Sequence, residues 1–221
     1  IPLCWGDGAS GQRGDNRTTN LGADRPSRPK HIKFNAPVPV ALAFDSLSLA
    51  VGDKHACAVA IAPAAVAGLA YCWGLNAHGQ LGRATGATRS DSLAGPVAGY
   101  TFARLYAGKY HTCGLTATGT AYCWGRNDYG QLGGGTASAF NTGTTTVTGV
   151  IGGLTFSSLS LGELFTCGVT GNGPPVTFFG PSPSAGTIYC WGDNSFGQIG
   201  NGVAAGGNAP VLTPTKVNGQ P

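Results

Sequence analysis

The chain has 221 residues, 42% of them apolar, enough for the core of one large domain or two small ones. Only 10% are charged, against about 25% in ordinary soluble domains, the formal charge is +4, and there are 38 glycines and 14 prolines. This excludes a helical bundle, where each interior glycine costs about 1 kcal/mol, and no apolar run reaches the roughly 18 residues of a bilayer span.

The first stretch carries Arg13, Arg17, Arg25, Arg28, Lys30 and Lys33 beside Asp7, Asp15 and Asp24. Six cations against three carboxylates read as a solvated loop, not a nucleic-acid footprint.

A string then recurs four times: Cys4-Trp5-Gly6 with Gly11-Gln12-Arg13-Gly14, Cys72-Trp73-Gly74 with Gly79-Gln80-Leu81-Gly82, Cys123-Trp124-Gly125 with Gly130-Gln131-Leu132-Gly133, and Cys190-Trp191-Gly192 with Gly197-Gln198-Ile199-Gly200. A second shared element precedes the last three copies: Phe44 to Leu49 with Gly52, His55 and Cys57; Phe102 to Tyr106 with Gly108, His111 and Cys113; Phe156 to Leu161 with Gly162, Phe165 and Cys167. Alternating apolar residues, a glycine turn and a short strand centred on each cysteine predict a hairpin, followed by a third strand at 70–73, 121–124 and 188–191. A fourth strand is predicted at 95–98, 146–151 and 214–217, so each copy makes one four-stranded propeller blade.

Gly52 to Val59 with Cys72 to Gly82, and Gly108 to Leu115 with Cys123 to Gly133, resemble the regulator of chromosome condensation repeat family. The departures are Phe165 where that pattern has histidine and Gly8 where it has asparagine. The resemblance implies an all-β, seven-bladed propeller of which this chain supplies blades at 41–99, 100–153 and 154–221, with 1–40 the second half of a preceding blade. An incomplete ring leaves sheet edges open, so the chain is expected to be a segment of a longer protein with further blades upstream.

Sorted by the repeat, the seven cysteines pair as Cys57 with Cys72, Cys113 with Cys123 and Cys167 with Cys190, and Cys4 is left unpaired in the segment. Facing residues on adjacent antiparallel strands lie within disulfide reach. Zinc would call for paired C-x-x-C or H-x-x-x-H spacings, and calcium for denser acids than Asn127-Asp128 or Asp193-Asn194, so no metal is expected. Regular disulfides point to a secreted, periplasmic or cell-surface setting.

His55 and His111 share one repeat position, where a histidine can bond the backbone of a neighbouring strand; His78 falls where other copies have Tyr129 and Phe196, a position that takes a flat ring. The glutamines are expected to satisfy the glycine turns and the tryptophans to pack between blades. Nine scattered acids and no nucleophile elbow or phosphate loop argue against an enzyme and against a cofactor. Specificity is expected in the variable loops, with Arg83, Arg89, Tyr129, Phe196, Phe178 and Phe179 as candidate partner contacts.

The function expected is a protein-interaction or scaffolding module outside the cytoplasm, with no nucleic acid and no membrane span in the segment. Two alternatives stand beside it: a structural subunit of a larger extracellular assembly, and a glycan or small-ligand binder using Tyr110, Tyr129 and Phe196.

Overall fold

A computed structural model describes residues 3–4, 9–10, 30–31, 43–44, 48–84, 88–90, 96–171, 186–203 and 209–220. The first blade contains β3 (Ala43–Phe44), β4 (Ala50–Val51), β5 (His55–Ala62), β6 (Ala70–Leu75) and β7 (Arg89–Ser90); ahead of it β1 (Leu3–Cys4) pairs antiparallel with β2 (Lys30–His31). The second sheet runs β8 (Arg104–Ala107), β9 (His111–Leu115), β10 (Ala121–Arg126) and β11 (Gly143–Gly149). The third runs β12 (Phe156–Leu161), β13 (Phe165–Thr170), β14 (Ile188–Gly192) and β15 (Val211–Lys216). Each of these two is an antiparallel meander, and the only helical turn among the described residues is a 3-10 turn at Ala64–Val66.

Two strand placements differ from the sequence reading. The first strand of the first blade, expected from Phe44 to Leu49, is split: Phe44 pairs with Ala60 at one end of β5, and Ala50 with Cys57 nearer the other. Phe44 precedes Gly52 by eight positions, whereas Phe102 precedes Gly108 by six, so one continuous register cannot hold both the phenylalanine and the turn. The outer strands also start earlier than expected, at Gly143 and Val211, and in the first blade the outer pairing is Arg89–Ser90 plus a bridge from Tyr71 to Pro96. A bulge between Cys123 and Gly125 opposes Gly125 to Thr144 and extends the pairing. Gly125 sits at φ +108°, and a Cβ there would fall 2.6 Å from the Tyr110 carbonyl oxygen, so the motif's last residue has to be glycine.

The core lies in the seams between blades. One cluster joins Cys57, Cys72, Leu81 and Val97 of the first blade to Phe102, Leu105 and Trp124 of the second. The next joins Cys113, Cys123 and Leu132 to Phe156, Leu159 and Trp191 of the third. Trp124 and Trp191 therefore each share a core cluster with the disulfide of the blade before. At the edge of the first blade, Leu49 is 41% exposed while its repeat equivalents Leu105 and Leu159 are buried in these seams.

Candidate functional site

The cysteine pairs face each other directly, Cys57 opposite Cys72, Cys113 opposite Cys123 and Cys167 opposite Cys190. All three are bonded, with Cα atoms 4.1 Å apart in each pair. Closing loops of 15, 10 and 23 positions, they restrict the unfolded chain, and the first two also lie in the seam with the next blade. Cys4 lies in β1, and its side chain is outside the described residues.

A buried hydrogen-bond relay crosses each seam. His55 Nε2 lies 2.8 Å from Thr112 Oγ1 of the second blade, Thr112 donates to the Gln80 carbonyl at 2.8 Å, and the Trp124 indole N–H donates to that same carbonyl at 2.9 Å. One blade on, His111 Nε2 meets Thr166 Oγ1 at 2.9 Å, Thr166 donates to the Gln131 carbonyl at 3.0 Å and Trp191 donates to it at 2.9 Å. The threonine proton is committed to the carbonyl, so Nε2 must carry the imidazole proton and donate. Nδ1 of both rings is then a buried acceptor without a partner. Burial pushes the His55 pKa down to about 4; burial, and then the charge His55 would carry, push His111 down to about 3. Both are neutral positioning groups.

The sequence reading has these histidines bonding a strand backbone; they bond a threonine side chain of the next blade instead. The threonines were missed, though Thr112 and Thr166 each follow the histidine position directly, and that shared spacing was the available signal.

The glutamine turns hold a second repeated device. The side-chain carbonyls of Gln80, Gln131 and Gln198 accept the amide N–H of His78, Tyr129 and Phe196 at 2.8 to 2.9 Å, as expected. Asn76, Asn127 and Asn194, at the asparagine position of the pattern where the first copy has Gly8, accept the amides of Leu81, Leu132 and Ile199 at 3.0 to 3.1 Å. They pin the far side of the same turn.

These turns lie at one end of the sheets, together with the β4–β5, β8–β9 and β12–β13 connections. Among the described residues of the three blades, every carboxylate (Asp53, Asp128, Glu163, Asp193) lies at this end. So do Lys54, Arg83, Arg89, Lys109 and Arg126, leaving only Arg104 and Lys216 at the opposite end.

At the middle of the ionic end, Arg126 donates from Nε and Nη2 to Asp128 at 2.8 and 2.7 Å. Its guanidinium also sits 5.1 Å from the Tyr110 ring centre and 5.9 Å from that of Phe140. The His78 ring of the first blade meets Tyr110 edge-on at 5.0 Å, and Lys109, near the same ring, pairs with Glu163 of the third blade at 2.9 Å. Burial alone would raise the Asp128 carboxyl, but hydrogen bonds from Arg126 and the Asn141 amide hold it below its ordinary value. Burial first, then the Arg126 charge, holds His78 low as well.

Of the expected contacts, Phe196 is 88% exposed at this end and Tyr129 is half-buried in the equivalent turn of the second blade. Arg83 reaches Ser90 Oγ at 3.4 Å, and Arg89 reaches the Ala9 carbonyl at 3.4 Å. Phe178 and Phe179 lie outside the described residues. Phe140, not named from sequence, is 77% exposed. Among the described residues no three histidine, cysteine or acidic side chains gather as metal ligands.

Models of the regulator of chromosome condensation (RCC1) repeat match residues 102–131 and 185–221. The human E3 ubiquitin-protein ligase HERC2 is 28% identical over 213 residues, 94% of this chain and 4% of the ligase. Human WBSCR16 superposes with a TM-score of 0.71 at 17% identity, covering 98% of this chain and 49% of that one. Yeast RCC1 (Prp20), solved bound to Kap60, gives 0.65 at 19% identity, with 98% and 44% covered. The chain thus spans a small fraction of the ligase and about half of each solved propeller, and the two solved structures show the fold alone.

Proposed function

We propose that this chain, which belongs to the regulator of chromosome condensation repeat family, is a non-enzymatic protein-interaction module that works outside the cytoplasm and meets its partner with the ionic end of its blades. The observation that carries the reading is the segregation of charge: all four described carboxylates of the blades and five of their seven cations share one end with the exposed rings of Phe140 and Phe196. The seams below it are filled by disulfides, tryptophans and relays, so the ionic loops stand on a rigid base. Interface centres favour aromatic residues and arginine ringed by polar groups, which is the composition found here. Yeast RCC1, which shares the fold, was solved with a protein bound. Three disulfides at equivalent positions support an oxidising compartment.

The test has two parts. Proximity labelling in the native compartment identifies the partner, and binding is then compared for F140S/F196S at the ionic end and I61S/I151S at the other. The first pair is expected to weaken binding at least tenfold and the second to leave it unchanged; equal effects would overturn the assignment of the face. Thiol trapping of the protein in its own cells should find Cys57, Cys72, Cys113 and Cys123 oxidised, and free thiols there would remove the extracytoplasmic reading.

A further inference from the structure

Each closed seam is matched through one pair of side chains. His55 faces Thr112 and His111 faces Thr166, at 2.8 and 2.9 Å. These are N–H···O distances; a ring carbon needs about 3.3 Å or more from an oxygen. A carbon ring in the histidine place therefore overlaps a threonine hydroxyl across the seam.

The third blade repeats the receiving face with one change. Cys167–Cys190, Ile199 and Gln198 stand where the first two blades have their disulfide, leucine and glutamine, but Phe165 replaces the histidine. Phe165, Cys167 and Gln198 are each half-buried, whereas His55, His111, Cys57, Cys113, Gln80 and Gln131 are all 0% exposed. This face continues the two seams already formed, and no described residue closes it over. The solved propellers are about twice as long as this chain, which leaves room in such a ring for more blades. The chain also carries the complementary type: Ala56 of the first blade occupies the position of Thr112 and Thr166, without a hydroxyl, beside a buried Trp73.

We propose that the open face of the third blade receives a further blade of the same repeat that has alanine, or another residue without a hydroxyl, at the position of Thr112 and Thr166, because Phe165 stands where a hydroxyl-pairing histidine stands in the closed seams. The incoming tryptophan still has the Gln198 carbonyl as acceptor, in place of the Gln80 and Gln131 carbonyls used at the closed seams. Phe165 thereby sets which blade can follow.

The inference is tested by fusing a fourth blade, copied from residues 100–153, after Pro221 of the full chain. The copy is made with its native threonine and with Thr112→Ala in the copy, each alongside native Phe165 and alongside Phe165→His. Docking is read as the rate at which a reductant opens Cys167–Cys190, followed by mass spectrometry. With native Phe165 the alanine copy is expected to slow reduction at least tenfold more than the threonine copy, and with Phe165→His the preference reverses. Equal protection by both copies, or by neither, overturns the proposal.

The same matching rule is tested in the unfused protein, so a misfolded fusion leaves the proposal falsifiable. Thr166→Ala alone is expected to lower the melting midpoint by roughly 6 °C, through loss of its two buried hydrogen bonds, one from His111 and one to the Gln131 carbonyl. On top of His111→Phe, where the bond from His111 is already gone and removing the hydroxyl relieves the overlap with the ring, it is expected to lower it by less than half as much. The same loss in both backgrounds shows that the two positions are not coupled and sinks the inference.

Discussion

Acid should open the seams before it reaches the carboxylates. His55 and His111 are buried and neutral, with pKa values lowered from 6.5 to about 4 and about 3. Unfolding returns both to ordinary values, so between pH 6.5 and 4 the unfolded chain binds more protons than the folded one. Stability is therefore full above pH 6.5 and falls as the pH drops through that window. Each histidine contributes a slope of up to about 1.4 kcal/mol per pH unit, so moving from pH 7.5 to 4.5 removes roughly 5 kcal/mol for the pair. That rivals the whole stability of many domains. Urea titrations with intact disulfides, run at half-unit pH steps, read the slope directly. His111→Gln, whose amide can still donate to Thr166, should remove up to about half of it, since His78, also held low, adds to the slope that remains. A flat stability from pH 7.5 to 4.5, or an unchanged slope in that variant, would refute buried neutral histidines as the cause. Asp128, held below its ordinary value, loses its contribution only below about pH 4, in a separate window.

Other perturbations sort by burial and geometry. Gly133→Ala, at φ +71° with a Cβ placed 2.7 Å from Trp191 Nε1, should cost roughly 2 to 4 kcal/mol in the same urea assay. Replacing Cys167 and Cys190 by serine should cost about 0.7 kcal/mol more than replacing Cys113 and Cys123, because the loops they close span 23 and 10 positions; an equal or reversed cost would argue against loop entropy. Asp128→Asn should cost roughly 1 to 3 kcal/mol, since it leaves Arg126, whose side chain is only 10% exposed, without its carboxylate. Glu163→Gln, at an exposed pair with Lys109, should change stability by less than about 0.5 kcal/mol, and the same denaturation curves separate the two.

The repeat was legible because propeller blades reuse one solution. Cysteines that must face each other, a tryptophan that must enter a seam and a glycine that must adopt positive φ recur at fixed offsets, so the blades, the three disulfides and the tryptophan packing could be read from spacing. Strand ends could not. The eight positions between Phe44 and Gly52 split a strand that its apolar pattern draws as continuous, because register depends on what the partner strand can pair with.

What the linear chain determined by itself is the set of local constraints: where the backbone turns, which residues alternate inward and which cysteines belong to one blade. Only the tertiary structure decided how one blade meets the next. Thr112 lies 57 positions from His55 and 32 from Gln80, yet the three form one relay with Trp124. The charges of Asp53, Lys109, Arg126, Glu163 and Asp193 are scattered along the sequence and gather at one end because antiparallel meanders return every second connection to the same side. Neither contact leaves a mark within a single repeat, since a seam or a face exists only where two blades are held side by side.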